Sequence, residues 1–273
     1  MIQQTATVIW NRSRGASVYH LGLECARGFA RAKPGQFVML HLVDRIDPLL
    51  RRPFSLHRLI QNGPRTEGVE ILYKVVGKGT ALLSSLQAGD PVDIMGPLGS
   101  AFLLPPDARR VFVVAGGIGV APMVFLVYDL LRQGIRAADC TVFLGGRTRD
   151  ELICGENFNG LGVSLHTTTD DGSAGDQCLV TLPMELALPS SSPDVIFACG
   201  PPAMLQCVVD VAEARNIACQ ISIETRMACG MGACLGCAVA SRDPMIPYYH
   251  ACLDGPVFDS RSIRLETDRM LQE

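Results

Sequence analysis

The chain lacks the features that mark nucleic-acid-binding, exported or membrane-embedded proteins. Its 273 residues carry 24 Lys and Arg against 27 Asp and Glu, a net charge of −3, and no basic block stands out. Binding to a phosphate backbone rests on clustered cations, so nucleic acid is not an expected partner. The start, Met1-Ile2-Gln3-Gln4-Thr5, has neither the basic nor the apolar stretch of a signal peptide. Eleven cysteines, an odd number with no export signal, read as the reduced thiols of a cytoplasmic protein rather than as a disulfide framework. No internal repeat, low-complexity tract or flexible linker is evident. The run 111–131 has the length of a membrane span and only one charge, Asp129. Gly116, Gly117, Gly119 and Pro122 interrupt it, so it reads as a buried strand followed by a helix, and no membrane association is expected.

A hydrophobic content of 48% is enough to build cores for two or three domains in a chain of this length. Residues 1–104 contain short β-type runs at 5–10, 18–25, 36–43, 52–60, 69–76 and 91–95, linked by Pro34-Gly35, Asn62-Gly63-Pro64, Ala88-Gly89-Asp90 and Gly96-Pro97-Leu98-Gly99. Such even spacing predicts a small antiparallel barrel, with one helix near 81–86. After Pro105-Pro106 the pattern changes. Strand-like runs at 110–115, 140–144, 163–168 and 194–199 alternate with helical runs at 122–133 and 201–216, which predicts a doubly wound parallel sheet over 105–224, with 218–224 as its last strand. Residues 225–273 are left as a small third unit rich in cysteine.

That third unit holds the most specific signal. Cys229, Cys234 and Cys237 follow the C-x4-C-x2-C spacing of plant-type [2Fe–2S] sites, and Cys252 supplies a distant fourth thiolate. Gly230, Gly232 and Gly236 are able to take positive φ and aim amides at sulfur. Structural zinc is the competing reading, since it also uses four thiolates, but it usually pairs them as two C-x2-C knuckles and one is present here.

Three further stretches suit phosphate or flat cofactors. Arg51-Arg52-Pro53-Phe54-Ser55 offers guanidinium groups for a diphosphate and a hydroxyl for a ring nitrogen, although a strand ending in surface arginines is the better reading of this stretch taken alone. Leu72-Tyr73-Lys74 runs into Gly77-Lys78-Gly79-Thr80, where Thr80 can cap a helix whose first amides face an anion, or simply close an ordinary strand-turn-helix junction. Ala115-Gly116-Gly117-Ile118-Gly119 follows a buried strand and lets backbone approach a diphosphate, without being the full dinucleotide fingerprint. The five histidines, His20, His41, His57, His166 and His250, are scattered and read as solvated or packing residues, as Asp170-Asp171-Gly172 reads as a solvated turn.

In combination these motifs resemble the ferredoxin reductase superfamily, and the terminal cysteine loop with Asp254-Gly255-Pro256-Val257-Phe258 resembles the electron-transfer subunits of NAD-dependent dihydroorotate dehydrogenase. The resemblance covers nearly the whole chain. It implies that Arg52 and the amides of Gly79 and Thr80 hold the FAD phosphates. Pro53, Phe54 and Ser55 would line the isoalloxazine ring, with Leu72, Tyr73 and Lys74 completing the flavin site. Gly117 and Gly119 would face NAD, with Cys199, Gly200 and Pro201 as the second half of that site. The implied partner is an FMN-containing catalytic subunit that oxidises dihydroorotate, two copies of each subunit forming a heterotetramer active in pyrimidine biosynthesis. Small subunits of ferredoxin:NADP oxidoreductase and sulfide dehydrogenase are similar as well. Some of those carry aspartate where this chain has Cys229. A zinc-stabilised binding module without redox work is the alternative of another class. Two departures from the family pattern are Phe54, where an aliphatic residue is common, and the extended segment 44–50.

Overall fold

A computed structural model describes residues 1–25, 27–43 and 45–265. Asp44, in the extended segment noted above, and residues 266–273 at the end of the expected third unit lie outside them.

The first strands alternate in burial with the period of two that a closed sheet requires. In β1 (Ile2–Gly15), Ala6 and Val8 point inward while Thr5, Thr7 and Ile9 face out. With β2 (Val18–Glu24), β3 (Phe37–Leu42), β4 (Arg52–Asn62), β5 (Arg65–Lys74) and β6 (Pro91–Leu98), it forms a closed barrel in the order β1-β2-β5-β4-β3-β6. Every neighbouring pair is antiparallel. Closure removes the unpaired edges that an open sheet of this size would expose. The helix α1 (Lys78–Ser84) lies between β5 and β6, and Asn11 of β1 donates to the Leu83 and Leu86 carbonyls at its C-terminal end. Asn11 also accepts from the Tyr73 hydroxyl, so one amide ties three elements together.

From Val111 onward strands and helices alternate. β7 (Val111–Gly116) is buried along its whole length, and its side chains divide between two cores. Val111, Val113 and Ala115 pack with α2 (Val120–Arg132), while Phe112 and Val114 pack with the opposite layer. The remaining elements of this unit are β8 (Cys140–Gly146), α3 (Gly155–Asn159), β9 (Ser164–Thr169), β10 (Asp176–Gln177), α4 (Thr181–Ala187), β11 (Val195–Cys199), α5 (Pro202–Ala214) and β12 (Ala218–Ser222). Among the described residues no helix is long and apolar enough to cross a membrane.

The cysteine-rich tail is joined to both units. Its hairpin, β13 (Ala238–Ala240) with β14 (Tyr248–His250), leads into β15 (Val257–Asp259), which pairs antiparallel with β12. The sheet thus has seven strands in the order β10-β9-β8-β7-β11-β12-β15, its last one supplied by the tail. On the barrel side, the Ser100 hydroxyl donates to the Val257 carbonyl at 2.8 Å. Gly35 and Gly99 leave room for this contact, since a Cβ on either would lie 2.5–2.6 Å from atoms of Gly255 or Val257.

Candidate functional site

The four candidate cluster ligands come together through the tail hairpin. Ala238 pairs with His250, and the Ala251 amide donates to the Cys237 carbonyl, so the residue before β13 and the residues after β14 are opposite one another. The Cys237 and Cys252 Sγ atoms are 3.3 Å apart, and both residues are buried. Cys229 and Cys234 form the second pair, with their thiols in hydrogen-bond contact. Backbone amides point at these sulfurs: Met231 and Cys234 donate to Cys229 Sγ at 3.4 Å, and Gly232 donates to Cys252 Sγ at 3.1 Å. The Met231 amide is the main reason that the Cys229 thiol falls to a pKa of about 6. Burial, with the neighbouring Cys237, pushes Cys252 up to about 12.

Gly230 and Gly232 take φ of +70° and +79°, as the loop was expected to require. Gly236 does not. The adjacent Leu235 holds the left-handed turn at φ +57°, and a Cβ on Gly236 would lie 3.7 Å from Cys234 Sγ.

The arrangement separates the two metal readings. One tetrahedral zinc ion would hold all four sulfurs within about 3.8 Å of each other, given Zn–S bonds near 2.3 Å. Among the described residues, the only trio of potential ligand atoms gathered within 4.8 Å is His20, His57 and Glu70, so no three of these sulfurs converge on a point. Two separated pairs with amides aimed at sulfur fit a binuclear [2Fe–2S] cluster, whose two irons each take two thiolates.

The loop rests on the barrel. A Cβ on Gly230 would lie 2.6 Å from Met39 Cγ of β3, and Met39 pairs in register with Pro53 of β4. Cys237, Cys252, Phe37, Met39, Met95 and Leu98 share one apolar core. The candidate cluster ligands therefore lie one strand away from the candidate flavin residues.

Those flavin residues also assemble. Arg52, Pro53, Phe54 and Ser55 open β4 and are half-buried. A shallow cleft is lined by Leu42, Pro48, Leu50, Arg52, Phe54 and Gly79, among others. A Cβ on Gly79 would lie 3.4 Å from Arg52 Nε, so the guanidinium and the start of α1 share this cleft. The two arginines differ in role: Arg51 is ion-paired with Asp93 of β6, whereas Arg52 donates to the Leu50 carbonyl at 2.8 Å. Thr80 stands in the first turn of α1 rather than before it. Its hydroxyl accepts from the Val76 and Gly77 amides at 2.9 and 3.1 Å, and Gly77 occupies the cap position. Tyr73 is buried, with Phe54 edge-on at 5.7 Å and Tyr19 stacked at 5.7 Å. The Leu72 side chain is buried in the core beneath α2. Lys74 is ion-paired at 3.1 Å with Glu151, a carboxyl that Arg147 above all holds down at about 2.

The two expected halves of the nucleotide site meet. Gly117 takes φ +53° and has open space above it. Gly119 has an ordinary φ of −59°, so its need is for space: a Cβ there would lie 2.4 Å from the Cys199 carbonyl oxygen and 2.7 Å from Gly200 Cα. A Cβ on Gly116 would likewise lie 2.9 Å from Pro201 Cδ. Cys199 ends β11, and burial raises its thiol to about 12, so it is a neutral packing or contact group and not a nucleophile. The Gly119→Ala substitution should force this turn away from Cys199, because backbone atoms cannot yield as a side-chain tip does. The expected result is roughly tenfold or more weaker NADH binding in a fluorescence titration, about 1.4 kcal/mol or more, within the 1–3 kcal/mol typical of overpacking.

Two groups escaped the reading of the sequence. Glu224, two residues beyond β12, is exposed by surface area, yet the protein crowded around it raises its carboxyl through desolvation and its charge is felt at Cys199. The other is the His20, His57 and Glu70 trio, formed only when β2, β4 and β5 pair. No local sequence signal marks either one.

Residues 224–264 match the family model for the iron-sulfur cluster binding domain of dihydroorotate dehydrogenase B, and residues 113–210 match the oxidoreductase NAD-binding domain. The chain is 40% identical to the dihydroorotate dehydrogenase B (NAD(+)) electron transfer subunit of Desulforamulus reducens, over 84% of this chain and 86% of that one. It is 37% identical to the subunit of the same name from Bacillus caldolyticus, over 96% and 99%. Among solved structures, an NADH-dependent reduced ferredoxin-NADP oxidoreductase, studied for flavin-based electron bifurcation, superposes with a TM-score of 0.83 at 27% identity, covering 95% of this chain and 90% of that one. A Neisseria gonorrhoeae ferredoxin NADP+ reductase with bound FAD and NADP shares the fold at a TM-score of 0.63, with 16% identity over 78% of this chain and 91% of that one. With this extent of identity along nearly its full length, the chain belongs to the family of dihydroorotate dehydrogenase B electron transfer subunits.

Proposed function

We propose that the chain carries electrons from a dihydroorotate-oxidising partner subunit to NAD+, as an oxidoreductase subunit in pyrimidine biosynthesis. The observation that carries this reading is the seating of the cysteine loop on β3, one strand from the flavin residues, with the nucleotide turns on the same compact body. Bound FAD supplies the link between single-electron exchange and two-electron hydride chemistry, and the protein contributes position and potential.

The chain's own residues divide that work. Residues 1–104 would hold FAD, with Arg52 and the Gly79 and Thr80 amides on its phosphates and Pro53, Phe54, Ser55 and Tyr73 around its ring. Residues 105–224 would hold NAD across Gly117, Gly119 and the Cys199-Gly200-Pro201 turn. Residues 225–273 would carry the cluster on Cys229, Cys234, Cys237 and Cys252, whose amide donors stabilise negative charge on sulfur. No general base for dihydroorotate is expected of this chain; that task would fall to an FMN-bearing catalytic subunit, with two copies of each in the complex.

The test is to co-express the chain with its partner, purify the complex anaerobically, and measure FAD, inorganic sulfide and dihydroorotate-dependent NAD+ reduction. Flavin and sulfide together with that activity support the reading. A colourless zinc protein refutes it. Flavin and sulfide with NADPH-dependent ferredoxin reduction, and no activity on dihydroorotate, would reassign the partner.

A further inference from the structure

His57 stands at a bulge. Leu56 pairs with Ile71 and Arg58 with Glu70, so His57 is the extra residue on β4. A bulge frees a residue from the ladder and re-aims its side chain, and these features gather beside functional sites. The freed ring is 3% exposed, and its Nδ1 lies 2.8 Å from the Ala121 carbonyl oxygen in the first turn of α2. A carbonyl only accepts, so the proton is on Nδ1. Burial lowers the ring's pKa to about 4, which makes it a neutral donor at physiological pH. Beside it, His20 and Glu70 satisfy each other at 2.8 Å.

The two ends of this bond matter. On the barrel side, His57 is two residues beyond Ser55; on the other, Ala121 is two residues beyond Gly119. A single hydrogen bond therefore joins the candidate flavin strand to the candidate nucleotide turn. The neighbouring contacts hold the same interface without it: the Arg58 guanidinium lies 4.3 Å from the Tyr128 ring centroid, and Phe125 of α2 is buried in the barrel core.

We infer that His57 is a positioning residue for hydride transfer, fixing the start of α2 against the flavin strand so that the nicotinamide and flavin rings meet in reactive register. This rests on the function proposed above. In the direction assayed, the C4–H bond of NADH breaks with both electrons and the hydride bonds to oxidised flavin, leaving NAD+ and reduced flavin. Without the bond, Phe125 and Arg58 still hold the two units together, but the turn gains freedom. Misplacement on this scale slows a reaction more than it weakens binding.

The experiment compares wild type, His57→Leu and His57→Asn as complexes with the partner subunit. Asn can place its Nδ2 amide where Nδ1 was; Leu cannot. Stopped-flow bleaching of the flavin by NADH gives a limiting rate and a Kd, FAD content and melting temperature report integrity, and ¹⁵N spectra of labelled histidine report the wild-type tautomer. Expected are a protonated Nδ1 and bare Nε2 at neutral pH, a limiting rate lowered roughly ten- to hundredfold in the Leu variant with FAD content unchanged and Kd within about threefold, and recovery of most of the rate in the Asn variant. A Leu variant as fast as wild type, an Asn variant no better than Leu, or an Nε2–H tautomer would overturn the inference alone. Should Leu fail to fold, the Asn rate and the tautomer still decide. A wild-type complex that holds no FAD, or whose FAD does not react with NADH, would overturn the functional reading and this inference with it.

Discussion

Cys234→Ser is expected to abolish electron transfer between the subunits while leaving the NADH–flavin reaction intact. Cys234 is the exposed member of the four, whereas Cys237 and Cys252 are buried and share a core with Met39, Met95 and Phe258. Serine at position 234 is nearly isosteric and removes no buried apolar contact, so the fold should persist. The chemistry does not. A serine hydroxyl is a hard ligand that resists deprotonation, and iron–sulfur clusters rely on soft thiolate. Loss of a hydrogen-bonding neighbour around a metal site typically costs 10–100-fold, and loss of a direct ligand should exceed that. The expected readings are a sharp fall in inorganic sulfide, dihydroorotate-dependent NAD+ reduction lowered more than roughly a hundredfold, and FAD content and NADH–ferricyanide activity within about twofold of wild type. Undiminished turnover between the subunits would show that the electrons take another route.

Much of this architecture is legible in the chain because it is written locally. Alternation in 1–104 and its replacement by strand-helix periods after Pro105 come from burial on one face or two, and the cysteine spacing is itself a ligand geometry. What escapes is set by pairing between distant segments. β15 is three residues long and joins the sheet only because β12 offers an edge, so no local pattern announces it. The helices α3 and α4 span five and seven residues, too short for an apolar stripe to repeat. His57 looks like any strand residue until the bulge against β5 turns it toward α2. The left-handed position at Leu235 rather than Gly236 shows the same limit at the scale of one turn: glycine content signals a tight loop but not which residue carries its strained angle.

Arg52→Ala should weaken FAD retention without unfolding the barrel, and its neighbour provides the contrast. Arg51 is ion-paired with Asp93 of β6; burial pushes that carboxyl upward, but Arg51 and Gln3 outweigh it and hold the group below its ordinary range. Arg51→Ala would strip a half-buried carboxylate of its partner, so its effect should appear as a lower melting temperature. Among the described residues no carboxylate pairs with Arg52. It donates one N–H to the Leu50 carbonyl, which steadies the side chain, and its Nε side lies beside Gly79 at the start of α1. Guanidinium binds phosphate through paired, charge-assisted hydrogen bonds, and such bonds contribute about 1.5–3 kcal/mol net. Their loss corresponds to a roughly 10- to 150-fold higher Kd for FAD, measurable by dialysis followed by flavin titration. The Arg51 variant should keep its FAD at temperatures where it is folded. If the two variants lose flavin equally, or if Arg52→Ala stays fully loaded after dialysis, the phosphate-binding role assigned to Arg52 is wrong. A fall in melting temperature confined to Arg51→Ala, with flavin loss confined to Arg52→Ala, would separate the two adjacent guanidinium groups into a structural strut and a cofactor clamp.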